Sequence, residues 1–209
     1  MIALSKVPMS NNYKSMAMNQ IIGDFIEEAL DNHKLFMIEF LIQAIPIERR
    51  KPIRYLSMAF VADYLANIFP LPEETATSFG QQLQLKSAAT YMSNELLENS
   101  MKFHDNKINY PVKFGIGLLE ENLVFISSNC VNQKCLANFN KFIDELTHSD
   151  IDEFYFRQLE KGAEEKSEES QLGFLSMMND YSAKLGWKIE TIRKDIEIIT
   201  LTTMVQLTI

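Results

Sequence analysis

The sequence predicts an α+β fold. Its form is a two-layer sandwich whose mixed or antiparallel sheet is covered by helices on one face, with an N-terminal helical extension. Three observations predict it. Apolar residues keep helical spacing as far as Phe103, then switch to strict alternation over Val112, Phe114, Ile116 and Leu118. Helical spacing returns at Leu136 to Leu159 and again from Leu172, and the chain closes on β-rich sequence from Trp187 to Ile209. Turn signals between the strand-like segments are short, which pairs neighbouring strands antiparallel.

Met1 to about Tyr13 reads as a loose start. Met16, Ile21, Ile22, Phe25, Ile26, Ala29 and Leu30 follow at helical spacing and predict a helix that ends near Asp31-Asn32-His33. Leu35 to Ile42 is a continuous apolar run with one charge, which periodicity leaves open between strand and helix. Arg49-Arg50-Lys51 reads as an exposed turn. Arg54 to Phe69 reads as a helix with Tyr55, Met58, Ala59, Ala62, Leu65 and Phe69 inward. Pro70-Leu71-Pro72 stops it and starts the next, where Glu73 and Glu74 suit the positive end of the dipole. That long helix runs to about Phe103.

Beyond it, Val112 to Leu118 predicts a half-buried strand, Glu120-Glu121-Asn122 a turn, and Leu123 to Ile126 the returning strand, which enters a polar bend at Ser127-Ser128-Asn129. Two helices follow, one on Leu136, Phe139, Ile143 and Leu146, the next on Ile151, Phe154, Tyr155 and Leu159. Lys161 to Ser170 is charged and low in complexity, and reads as a mobile surface loop. Leu172 to Leu185 predicts a helix with Gly186 as its left-handed stop. A hairpin from Trp187 through Ile196 to Ile209 completes the sheet.

Composition narrows the function classes. With 46% apolar and 23% charged residues the chain has the make-up of a soluble globular protein. A formal charge of −8 and a pI near 5.0 argue against nucleic acid or an anionic membrane as the main partner. No apolar run reaches membrane-spanning length, and the first residues lack the layout of a secretory signal, so a cytoplasmic protein is expected. Cys130 and Cys135 read as reduced thiols, and His33, His104 and His148 as surface residues at element ends.

The most informative stretch is Ser93-Asn94-Glu95-Leu96-Leu97-Glu98-Asn99-Ser100. Glu95 and Asn99 stand one helical turn apart, hence on one face. The core stripe of this helix is Leu85, Ala89, Met92, Leu96 and Phe103; Asn99 falls on it and Glu95 at its margin. A carboxylate and a carboxamide at a core edge cost free energy unless a hydrated metal with a nucleotide, or a buried backbone partner, satisfies them.

These residues, with the bend Ser127-Ser128-Asn129, the acidic loop, Gln171-Leu172-Gly173-Phe174-Leu175 and the terminal Thr202 to Leu207, resemble the GHKL (Bergerat-type) nucleotide-binding fold of gyrase-type ATPases, histidine kinases and anti-sigma-factor kinases. More narrowly the chain looks like the SiaB-type protein kinases of bacterial partner-switching modules. The resemblance covers roughly Ile53 to Ile209, which divides the chain into an extension (1–50) and a GHKL-like kinase or ATPase domain (51–209).

The resemblance implies ATP and magnesium as cofactors, with Glu95 as the catalytic base toward a serine or threonine hydroxyl and Asn99 as the magnesium ligand. Asn129 and Thr203 would be adenine-side contacts, and Gly173 would be the surviving glycine of a phosphate-binding box. It implies as partner a small SiaC-like or anti-sigma-antagonist protein, with a metal-dependent Ser/Thr phosphatase in the same pathway. A homodimer built on the helix Met16 to Leu30 is a further expectation.

The departures are as informative. Ser170-Gln171-Leu172-Gly173 stands where such kinases carry Gly-x-Gly-Leu-Gly, and Asn129-Cys130-Val131-Asn132 offers no glycine at all. Glycines there let backbone N–H groups approach phosphates at a helix start. Each loss costs about 1–3 kcal/mol, and two shift nucleotide affinity by roughly a hundredfold or more. The expected function is therefore a signalling regulator that binds its partner through a degenerate domain. An active Ser/Thr kinase is the alternative.

Overall fold

The computed structural model describes residues 19–30, 35–68, 76–164, 172–193 and 198–209. One six-stranded sheet organises them. Its strands are β1 (Asn19–Gly23), β2 (Leu35–Phe40), β3 (Val112–Leu119), β4 (Asn122–Val131), β5 (Lys184–Arg193) and β6 (Ile198–Thr208). They lie in the order β1-β5-β6-β4-β3-β2, every neighbour antiparallel. The helices are α1 (Ile47–Ile68), α2 (Ala76–Lys102), α3 (Gln133–His148), α4 (Ile151–Glu164) and α5 (Leu172–Tyr181). The α+β sandwich read from the periodicity is the fold observed.

Alternation sets the two faces of the sheet. Phe114 and Ile116 of β3, Leu123, Phe125 and Val131 of β4, Leu185, Trp187 and Ile189 of β5, and Val205 and Leu207 of β6 share one core. The helices supply its other half through Met92, Leu96 and Leu97 of α2, Leu136, Phe139, Phe142 and Leu146 of α3, Phe154 of α4, and Phe174 and Leu175 of α5. Caps fix where two of these helices begin. Asn132 Oδ1 accepts from the Cys135 N–H at 2.9 Å, and Asp150 Oδ1 accepts from the Asp152 and Glu153 N–H groups at 3.0 and 3.3 Å.

The opposite face is covered near its centre by a short 3-10 turn, Glu27–Ala29. Ala29 packs with Val124, Ile126 and Met204, and Phe25, Ile26, Leu35 and Leu119 surround them. Lys188 ties this turn to the sheet, its ammonium 2.9 Å from both Glu27 and Glu190. Those two carboxylates raise the Lys188 pKa above the ordinary lysine range.

Several sequence readings are corrected. The helix predicted over Met16 to Leu30 is, in its described part, the edge strand β1 followed by the 3-10 turn, so a homodimer built on that helix loses its basis. Leu35 to Ile42 resolves as β2 up to Phe40, with Ile42 opening a 3-10 turn. Arg49-Arg50-Lys51 lies inside α1, not in a turn. The bend at Ser127-Ser128-Asn129 is continuous strand, paired with Thr203, Thr202 and Leu201 of β6. Helix α5 ends at Tyr181, and Gly186 sits in β5 opposite Met204, not at a helix stop. Lys161 to Glu164, read as the start of the charged loop, are the last turn of α4. The Pro70-Leu71-Pro72 junction, Glu73, Glu74, His33 and the rest of that loop, 165–170, lie outside the described residues.

Candidate functional site

Helix α2 carries the first pair. Met92, Ser93, Leu96, Leu97 and Ser100 are buried, while Glu95 and Asn99 flank them half-buried at the margin of that face. Ser93 meets its own burial by donating to the Ala89 carbonyl at 2.7 Å, an i−4 bond within the helix. The helix packs on β4, and the Asp105 N–H that follows it donates to the Cys130 carbonyl at 2.9 Å. Asn99 is therefore one turn closer than Glu95 to the β4 end where Asn129 lies.

Phe125, Ser127, Asn129 and Val131 of β4 follow one another at spacings of two, so all four face the helices. Thr203 of β6 is the cross-strand partner of Ser127 and falls diagonal to Asn129 on the same face. Ser127, Asn129 and Thr203 are all buried, a polar island in an otherwise apolar layer. The Asn129 amide donates to the Cys130 carbonyl at 3.3 Å. Asn129 and Thr203 thus share one face of the sheet, brought there by strands and not by a bend.

Gly173 is brought against Glu95. It is the second residue of α5, and a Cβ built on it would collide with Glu95 Oε2. The Glu95 carboxylate thus lies on the first turn of α5, where helix N–H groups have no partner within the helix and the dipole favours negative charge. Around this seat Tyr91, one turn before Glu95, stacks on Tyr181 with ring centroids 5.3 Å apart. Ser176 donates to the Tyr155 hydroxyl at 3.5 Å. Burial, with Glu95, Tyr181 and Asp180 adding to it, raises the Tyr91 pKa above the phenol range against a hydrogen bond from Ser176.

This arrangement does not fit the phosphate cradle that the resemblance implies. The glycine meant to admit phosphate admits a carboxylate of the same chain. The end of β4, where the resemblance would place glycines, leads into the N-cap of α3 at Asn132.

Sequence reasoning missed His104. It is buried, 4% exposed, with both ring nitrogens 3.7 Å from the Cys130 sulfur and Nε2 3.5 Å from the Gln43 amide. Leu96, Ser100 and His104 stand at spacings of four in the sequence, but α2 ends at Lys102, so the helical column stops short of His104. Burial lowers the His104 pKa, reinforced by Arg50 and opposed by Asp105 and Ile108. Burial likewise raises the Cys130 pKa. The thiol stays protonated beside a neutral imidazole, which makes this a core contact and not an activated nucleophile.

A pH dependence follows. Between the lowered folded value and the unfolded value of about 6.5, the unfolded chain binds more protons, so stability falls on acidification through that window. Thermal melts from about pH 7.5 to about pH 5 are expected to show the loss, and His104→Gln to flatten it. An unchanged slope in the variant would assign the loss to other groups.

Among the described residues, no helix is long and apolar enough to cross a membrane. No protein-family model matches the chain, and no curated protein matches it. Among solved structures it is similar to a chain of the SiaB–SiaC complex from Pseudomonas aeruginosa. The TM-score is 0.50 and the identity 14%, over 87% of this chain and 95% of that one. At that identity the likeness is one of fold, a SiaB-like one.

Proposed function

We propose that this chain is a signalling regulator of a partner-switching module, a degenerate GHKL-type domain that holds a small SiaC-like protein. Nucleotide binding is weak or absent in this reading. The observation that carries it is the Glu95 carboxylate on Gly173. The group that would act as base occupies the turn that would take phosphate, and where the second glycine box would lie the chain is strand β4 and the Asn132 cap. Likeness in fold to a chain of the SiaB–SiaC complex supports the choice of partner.

Calorimetry with Pseudomonas aeruginosa SiaC and, separately, with magnesium-ATP tests the reading. Expected are partner binding at micromolar concentration without nucleotide, and no saturation by magnesium-ATP below about a millimolar. Saturable nucleotide binding in the micromolar range, lost in Asn99→Ala, overturns it, as does failure of SiaC to bind.

A second reading, an active Ser/Thr kinase whose product a metal-dependent phosphatase reverses, is favoured by Glu95 and Asn99 lying one turn apart and half-buried on α2. It requires Glu95 to leave Gly173 first. On that reading Glu95→Gln leaves the fold intact and abolishes transfer of phosphate to the partner; persisting transfer would place the base elsewhere.

A further inference from the structure

The contact between Glu95 and Gly173 joins two elements far apart in sequence and has room only because residue 173 has no side chain. A second contact between the same helices lies at the other end of α5, where Tyr91 stacks on Tyr181 at 5.3 Å. Helix α2 thus grips α5 at its first turn through a carboxylate and at its last through a ring.

We propose that Glu95 is an autoinhibitory latch: its carboxylate, seated on the first turn of α5 with Gly173 as the positioning residue, holds α5 on α2 and keeps Glu95 from acting on any other group. The latch itself stands on geometry; that it inhibits, by withholding Glu95 as a base, rests on the second, kinase reading above. The physical drive is the first-turn N–H groups, which have no partner within the helix, and the positive end of α5, which favour a carboxylate by an amount that depends on its staying within the first turn. Because the Glu95 side chain is flexible, a methyl group at 173 displaces the carboxylate without breaking the backbone.

The two positions are then coupled, and a double-mutant cycle reads the coupling. Glu95→Ala in the otherwise native chain is expected to lower Tm by about 2–4 °C. The same change in a Gly173→Ala background is expected to leave Tm unmoved, since the carboxylate has already left its seat. Additive Tm changes overturn the latch. Amide spectra of Glu95→Ala alone give a second measurement that does not depend on the Gly173 variant folding. The Gly173 and Phe174 N–H signals are expected among the largest shifts, and unshifted signals overturn the proposal. Tight magnesium-ATP binding by the native chain alongside a coupled cycle would sink the functional reading and leave the latch standing.

Discussion

Trp187→Ala is expected to be the most destabilising single change in the described core, at about 3–5 kcal/mol. The indole is 2% exposed and sits on the helix-facing side of β5, one strand in from the β1 edge. Phe139 and Phe174 lie 5.8 Å from it and Phe142 6.4 Å, with interplanar angles of 66°, 82° and 88°. These edge-on pairs join β5 to α3 and α5 at once, so truncation opens a cavity that neither layer can close by shifting alone. The loss is a large share of the roughly 5–15 kcal/mol by which domains are stable. Denaturant unfolding followed by circular dichroism measures it, and a loss under about 1 kcal/mol would contradict the packing described. The indole N–H has no hydrogen-bond acceptor among the described residues. Trp187→Phe therefore gives up area and ring contacts but no conventional hydrogen bond, and is expected to cost much less than the alanine change.

Gly186→Ala is the second. Here the space is closed by backbone: an added Cβ would lie 2.5 Å from the Asp24 carbonyl carbon and 2.6 Å from Phe25 Cα. Gly23, its partner across β1, adopts a left-handed φ of 68°, which turns the chain sharply from the strand into this close approach. Main chain cannot swing aside as a side chain can. The substitution is expected to push Asp24 to Ala29 off the sheet, weaken the Asp24 N–H bond to the Leu185 carbonyl, and bare Val124, Ile126 and Met204. The cost is about 1–3 kcal/mol. Hydrogen exchange at Asp24 and Ile26 should speed up while the β4–β6 amides stay protected. Uniform protection would show that the turn does not depend on that glycine.

The alternation at Val112 to Leu118 and the helical stripe through Leu96 were legible because one buried face imposes its period on local sequence. Ile21, Ile22, Phe25 and Ile26 misled because their spacings of three and four suit a helix; pairing with β5, invisible locally, makes Ile21 and Ile22 strand, and the chain turns away at Gly23. Ser127, Ser128 and Asn129 look like a bend because small polar residues favour turns. In the sheet each is covered on its own face and bonded through the β6 ladder. Gly186 resembles a helix stop in sequence and is required for close approach instead. At the site, the shared face of Glu95 and Asn99 follows from helix geometry alone. The meeting of Glu95 with Gly173 does not, since it depends on how α5 docks after the sheet has formed.

The pairing of β1 with β5 has a consequence for synthesis. The Ile26 N–H lies 3.4 Å from the sulfur of Met204, 178 residues further along the chain. While a ribosome is still translating the middle of the chain, the β1 edge and the apolar cluster behind it have nothing to join. Closing so long a loop is slow and comes late. The nascent amino-terminal segment therefore waits unpaired until β5 and β6 emerge, the interval in which a chaperone would have most to shield.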